Sequence, residues 1–322
     1  CFQSDFSKEM MQIKEICRYL PSQVFSVIKP EPHSLCLPGL LVFLILAQSA
    51  WAKPHPKALY THSVAEGVFR VFYTTEGKHA VPPDDRNGNG VPDRVDDIFV
   101  QLKAADWLYQ TQLNLVPPLK HPRYAQSDGI EVHIQHFDQG TGLAFDEPTK
   151  PNWYEGQSSK AFTLKIKIGS QVDPRLSTTP AHELFHVYQY AYSPFKTKWF
   201  TEGMARWLEE PFSRQTQFAV PPSPSTCREL TGMAYNANGF FAQLAERQVS
   251  GFDRAAIADE YRQFVYSDGS PAIRNRSVFK FRPVKTWLER AAELGASESR
   301  RLGLVEGKWP EPLQRSAQFD LT

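Results

Sequence analysis

Between residues 60 and 200 the chain switches between two hydrophobic periods. Three short runs repeat every second residue and read as strands: 67–75, 130–137 and 162–168. In the last of these, Lys165 and Lys167 alternate with apolar residues, the pattern of an edge strand. Two further stretches repeat at helical spacing. From about Arg94 to Leu113, the residues Val95, Ile98, Leu102, Ala105 and Leu108 share one face. From Thr179 onward, Leu184, Val187, Tyr188 and Ala191 form an apolar stripe beside a polar one of His182, His186 and Gln189. That layout predicts a half-buried helix whose polar side lines a cleft. Thr179 can cap it, Pro180 suits its first turn, and Pro194 stops it. Beyond residue 200 the pattern is mostly helical, over 201–209, 234–248, 254–264 and 283–294, while 138–160 and 221–225 read as loops. The expected fold class is α+β: a small mixed sheet with one central helix, then a mostly helical half.

One apolar run stands apart from these periods. Leu35 to Ala47, followed by Ala50-Trp-Ala52, has the form of a secretory signal peptide, assigned to 35–52. It is shorter than a membrane span and contains Pro38, so no stable membrane anchor is expected. Residues 1–34 are expected to add nothing to the fold, because the chain begins with Cys1 and the apolar run comes late, as in a fragment or an over-extended start. The mature chain would be 53–322, secreted or periplasmic. Cys1, Cys17 and Cys36 precede the cleavage, leaving Cys227 alone and predicting no disulfide within the mature part. The 36 basic and 35 acidic side chains nearly cancel, which removes any electrostatic reason to expect nucleic acid or anionic membrane as a partner.

The polar stripe carries the chemistry. His182-Glu-Leu-Phe-His186 is an H-E-x-x-H pattern, and helix positions i and i+4 lie one above the other. Two imidazoles can therefore reach one zinc ion, while Glu183, rotated by about 100°, reaches a water bound to it and acts as general base. Downstream, Trp199-Phe-Thr-Glu-Gly-Met-Ala205 offers Glu202 as third ligand, with Glu209 and Glu210 as fallbacks. Fifteen residues, 187–201, separate His186 from Glu202, which demands a tight link through 193–198. The metzincin continuation fails, because position 189 is Gln and position 192 is Tyr. Tyr188, Tyr190, Tyr192 and Tyr235 are all candidates for an oxyanion donor. Arg206 stands where an acid orienting the first imidazole would be sought, so that partner is unassigned.

A second motif precedes the first helix. With Asp85 as position 1, Asn87 and Asn89 fall at 3 and 5, Gly90 at the sharp turn, the Val91 carbonyl at 7, Asp93 at 9 and Asp96 at 12. These oxygen ligands suit calcium. The bland alternative is a solvated acidic turn that starts the next helix.

The two zinc segments and the acidic loop together resemble a group of secreted bacterial gluzincin-type metallopeptidases, the loop being similar to dockerin and thrombospondin type-3 loops. Tyr235 to Leu244 resembles the helix that follows their zinc-binding region. The resemblance implies a zincin-like, two-lobed catalytic domain, with lobes of about 53–195 and 196–322. It also implies a zinc-dependent endopeptidase acting on protein or peptide, stabilised by Ca²⁺. A catalytically silent zincin-fold binding module and an aminopeptidase are the rival readings.

Overall fold

A computed structural model describes residues 59–151, 162–214, 221–222, 224–248, 259–275, 278–305 and 307–316. The expected extension and signal peptide, 1–52, lie outside the described residues, as do 152–160 of the long loop and 254–258 of one expected helix. No helix among the described residues is long and apolar enough to cross a membrane.

Five strands form one mixed sheet: β1 (His62–Glu66), β2 (Phe69–Tyr73), β3 (Ser127–Gln135), β4 (Gly142–Ala144) and β5 (Phe162–Gly169), in the spatial order β1-β2-β3-β5-β4. β2, β3 and β5 run parallel, and β1 and β4 close the two ends antiparallel. The mixed α/β architecture agrees with the class read from the sequence. One assignment changes. The 162–168 strand is not an edge but lies between β3 and β4, so the edge belongs to β4, inside the stretch read as loop. Lys165 and Lys167 tolerate that interior position because their register partners on β3 are Glu131 and His133. Lys165 thus meets an opposite charge on the next strand, while burial keeps His133 neutral beside Lys167.

Helix α1 (Asp93–Trp107) crosses from β2 back to β3, continuing as a π-helical turn over Leu108–Gln112. Its predicted face is fully buried at Val95, Ile98, Leu102, Ala105 and Leu108. Helix α2 (Thr179–Tyr192) packs on α1 and over β5 and β4. Its cap is Thr178 rather than Thr179, and it breaks where Ser193 turns extended before Pro194. Except for Tyr190, every residue of α2 is buried. It is therefore not a half-buried helix, because its polar stripe is covered in turn by β4 and α3.

The described residues after α2 hold only helices and turns as regular elements: α3 (Lys198–Leu208), α4 (Cys227–Thr231), α5 (Asn238–Gln248), α6 (Val284–Leu302) and α7 (Glu311–Ser316), with 3₁₀ turns between them. Cys227 is disulfide-bonded. The tight link between α2 and α3 is stapled at Lys196. Its N–H donates to the Gln314 carbonyl, and its ammonium pairs with Asp146 and Glu311. On α3, Gly203 has a packing reason to be glycine. A Cβ there would lie 2.6 Å from the Ala237 Cβ and 3.1 Å from its carbonyl carbon, in the 3₁₀ turn Tyr235–Ala237. Gly203→Ala is expected to destabilise by about 1–3 kcal/mol through overpacking, read from thermal or denaturant unfolding. An unchanged midpoint would show that the turn yields freely.

Candidate metal centre

Helices α2 and α3 bring three ligand atoms to one point. The His182 and His186 Nε2 atoms are 3.0 Å apart, and Glu202 Oε2 lies 3.3 Å from the first and 3.4 Å from the second. Among the described residues this is the one group of imidazole, thiolate or carboxylate side chains close enough to hold a metal ion. Four ligands arranged tetrahedrally at about 2.0–2.1 Å from zinc lie about 3.3–3.4 Å from one another. Two sides of the observed triangle fall in that range, and the third, between the imidazoles, is shorter at 3.0 Å. The fifteen intervening residues are therefore enough to bring Glu202 into place.

The outer nitrogens of both rings are fixed. Gln189 donates its amide N–H groups to the carbonyls of Phe200 and Thr201, at 3.3 and 3.2 Å. Its Oε1 is left to accept from His186 Nδ1 at 2.8 Å, so that nitrogen carries the proton and Nε2 presents a lone pair. Gln189 thus couples the orientation of one ligand to the helix that carries another. His182 Nδ1 donates to Glu209 Oε1 at 2.7 Å. The other Glu209 oxygen accepts from the Thr178 hydroxyl and the Arg206 guanidinium. Glu209 is thus the orienting carboxylate that the sequence left unassigned, and Arg206 holds it instead of replacing it. Glu210, the other fallback ligand, turns away to Lys280 and Asn275.

The electrostatics favour a cation at this point. Burial would lower the His182 imidazole, but hydrogen bonds to Glu202 and Glu209 raise it to about 10. Burial would raise Glu202, yet the two imidazoles hold it well below the usual carboxylate range. Glu183 is buried outside the trio. That burial pushes its carboxyl up, while His186, His182 and a hydrogen bond from the Ala144 N–H of β4 pull it down. A carboxylate raised by burial beside a metal position is suited to accept a proton near neutral pH.

The four tyrosine candidates separate. Tyr188 donates its hydroxyl to Asp106 at 2.6 Å, and the Tyr192 hydroxyl accepts from the Val116 N–H, so neither serves the site. Tyr190, partly buried, stacks on the His186 ring at 5.9 Å. Tyr235 is exposed, its ring 5.8 Å from that of His182, and its hydroxyl donates to Glu202.

The acidic loop before α1 forms a ladder of side-chain-to-backbone bonds. Asp85 accepts from the N–H groups of Asn89 and Gly90, Asn87 from Asn89, and Asn89 from Val91. The Asn87 and Asn89 amides both meet Asp96 Oδ2, at 3.0 and 2.9 Å. Asp93 is turned to the Arg86 N–H instead, so Asp85, Asp93 and Asp96 do not gather as a carboxylate trio. Asp93 and Asp96 sit in the first turn of α1, where acids also favour the helix dipole.

No protein-family model, no curated protein and no solved structure matches this chain.

Proposed function

We propose that the chain is a zinc-dependent peptidase of gluzincin type, exported from a bacterial cell, with His182, His186 and Glu202 as ligands and Glu183 as general base. The observation that carries the reading is the convergence of three possible ligand atoms, 3.0 to 3.4 Å from one another, with both outer imidazole nitrogens already bonded. The donor set of two imidazoles and one carboxylate suits zinc, and three protein ligands leave a position for water, as in hydrolytic sites. Zinc held there supplies a Lewis acid and an acidified water.

The chain's own groups supply the rest. Glu183 accepts the water proton at its carboxylate and returns it to the leaving amine. Tyr235 donates its hydroxyl to Glu202; once that carboxylate is turned to zinc, the hydroxyl is released to donate to the developing oxyanion. Tyr235→Phe should then cost about a hundredfold in kcat, in line with loss of one oxyanion donor. Equal kcat for the two proteins would remove Tyr235 from the mechanism.

An extended peptide is the substrate that the edge of the sheet can take. The Thr141 carbonyl and the Phe145 N–H bond to β5, so by alternation the Gly142 groups and the Ala144 carbonyl turn outward for a substrate strand, the Ala144 N–H being taken by Glu183. The reading includes the zincin-like pair of lobes, 53–195 and 196–322, and Ca²⁺ in the Asp85–Asp96 loop, whose bond ladder pre-shapes the backbone for it. The purified protein should contain one zinc per chain and cleave unfolded casein at internal bonds, with activity lost to a chelator and restored by zinc. Zinc without cleavage would favour the silent binding module. Removal of single residues from an end would favour the aminopeptidase.

A further inference from the structure

β4 is three residues long and carries a small residue on each side of the exposed Leu143. Gly142 has no backbone reason to be glycine, since its φ lies outside the left-handed region. Its reason is contact. A Cβ at this position would stand 2.4 Å from Glu183 Oε1, 2.6 Å from its Cγ and 2.8 Å from its Cδ. Two residues on, the Ala144 N–H donates to the same carboxylate. A third tie holds the two elements together, because Thr179 at the start of α2 bonds hydroxyl to hydroxyl with Thr141, at 3.1 Å.

We propose that β4 is the positioning element for Glu183. Gly142 leaves the space into which the carboxylate folds, and the Ala144 N–H fixes which oxygen faces the strand and which faces the reacting water. The inference rests on the assignment of Glu183 as base, and it makes Gly142 a positioning residue, not a catalytic one. It also explains why an element this short is retained at the edge. A Cβ at 142 meets the flexible end of Glu183 before it meets backbone, so the base yields and the sheet stands. A general base displaced by about an ångström forfeits on the order of a hundredfold in rate.

The test compares Gly142→Ala, Glu183→Ala and the double variant in the zinc-loaded full chain, with kcat and KM measured on an internally quenched peptide and zinc content by metal analysis. Gly142→Ala should lower kcat about a hundredfold with KM, zinc content and melting temperature unchanged, and should add nothing in the Glu183→Ala background. A second readout does not involve turnover. In ¹⁵N-labelled protein the Ala144 amide proton should move upfield in Gly142→Ala and in Glu183→Ala alike, as the bond to the carboxylate is lost. Wild-type kcat and an unmoved Ala144 resonance in Gly142→Ala overturn the proposal. So does loss of zinc or of stability in that variant, because the glycine then serves the sheet and not the base. Undiminished turnover in Glu183→Ala would instead sink the base assignment itself, and with it the proposed chemistry.

Discussion

Glu183→Gln is expected to lower turnover by a factor of about 10²–10⁴ and to leave bound zinc and KM as they are. The substitution keeps the shape of the side chain and removes only its capacity to take a proton. Glu183 lies outside the ligand trio, so metal content should not respond. A glutamine carbonyl can still accept from the Ala144 N–H, so position should be kept as well. Stopped-time hydrolysis of a fluorogenic peptide, with metal analysis on the same sample, separates the effects. Activity within a few-fold of wild type would show that another group accepts the proton, while loss of zinc would make Glu183 a ligand.

Glu209→Ala should weaken zinc binding by about 10–100-fold, although Glu209 touches no metal position. Its carboxylate holds His182 Nδ1 on one oxygen, with Thr178 and Arg206 on the other. Removing it frees the imidazole to rotate and leaves two donors of the network without their shared acceptor. Glu210→Ala is the control, since the Glu210 carboxylate is spent on Lys280 and Asn275. Competition with a chromophoric chelator gives both affinities. Equal affinities for the two variants would mean that packing alone orients His182. A stronger effect at 210 would reverse the assignment.

Residues that act through helical neighbours were legible in the sequence. His182 and His186 are one turn apart, and Val95 through Leu108 repeat at one period, so the backbone itself translates spacing into a shared face. Glu202 was legible from its surrounding segment. Glu209 was not, because it acts from the end of α3, beyond the single turn over which helix spacing predicts a contact. Arg206, one turn from Glu202, drew attention as a missing acid when it is the cation that holds one. β1 escaped because it is largely exposed and so has no burial alternation to show. β4 escaped because three residues are too few for any period. Lys165 and Lys167 misled for a physical reason: lysine fits an inner strand where a neighbour such as Glu131 carries the opposite charge or, like His133, none.

The ligands, and the side chains that hold both imidazoles, all come from residues 178–209, while β4 and Tyr235 are contributed from elsewhere. Closing a loop of fifteen residues costs little chain entropy, and that cost grows only with the logarithm of loop length. An unfolded chain can thus bring the same three side chains around zinc, loosely, without a sheet to support them. The stabilisation that zinc gives the fold is set by the difference between its affinities for the folded and unfolded chains. Melting temperature should therefore understate how tightly the native site holds its ion.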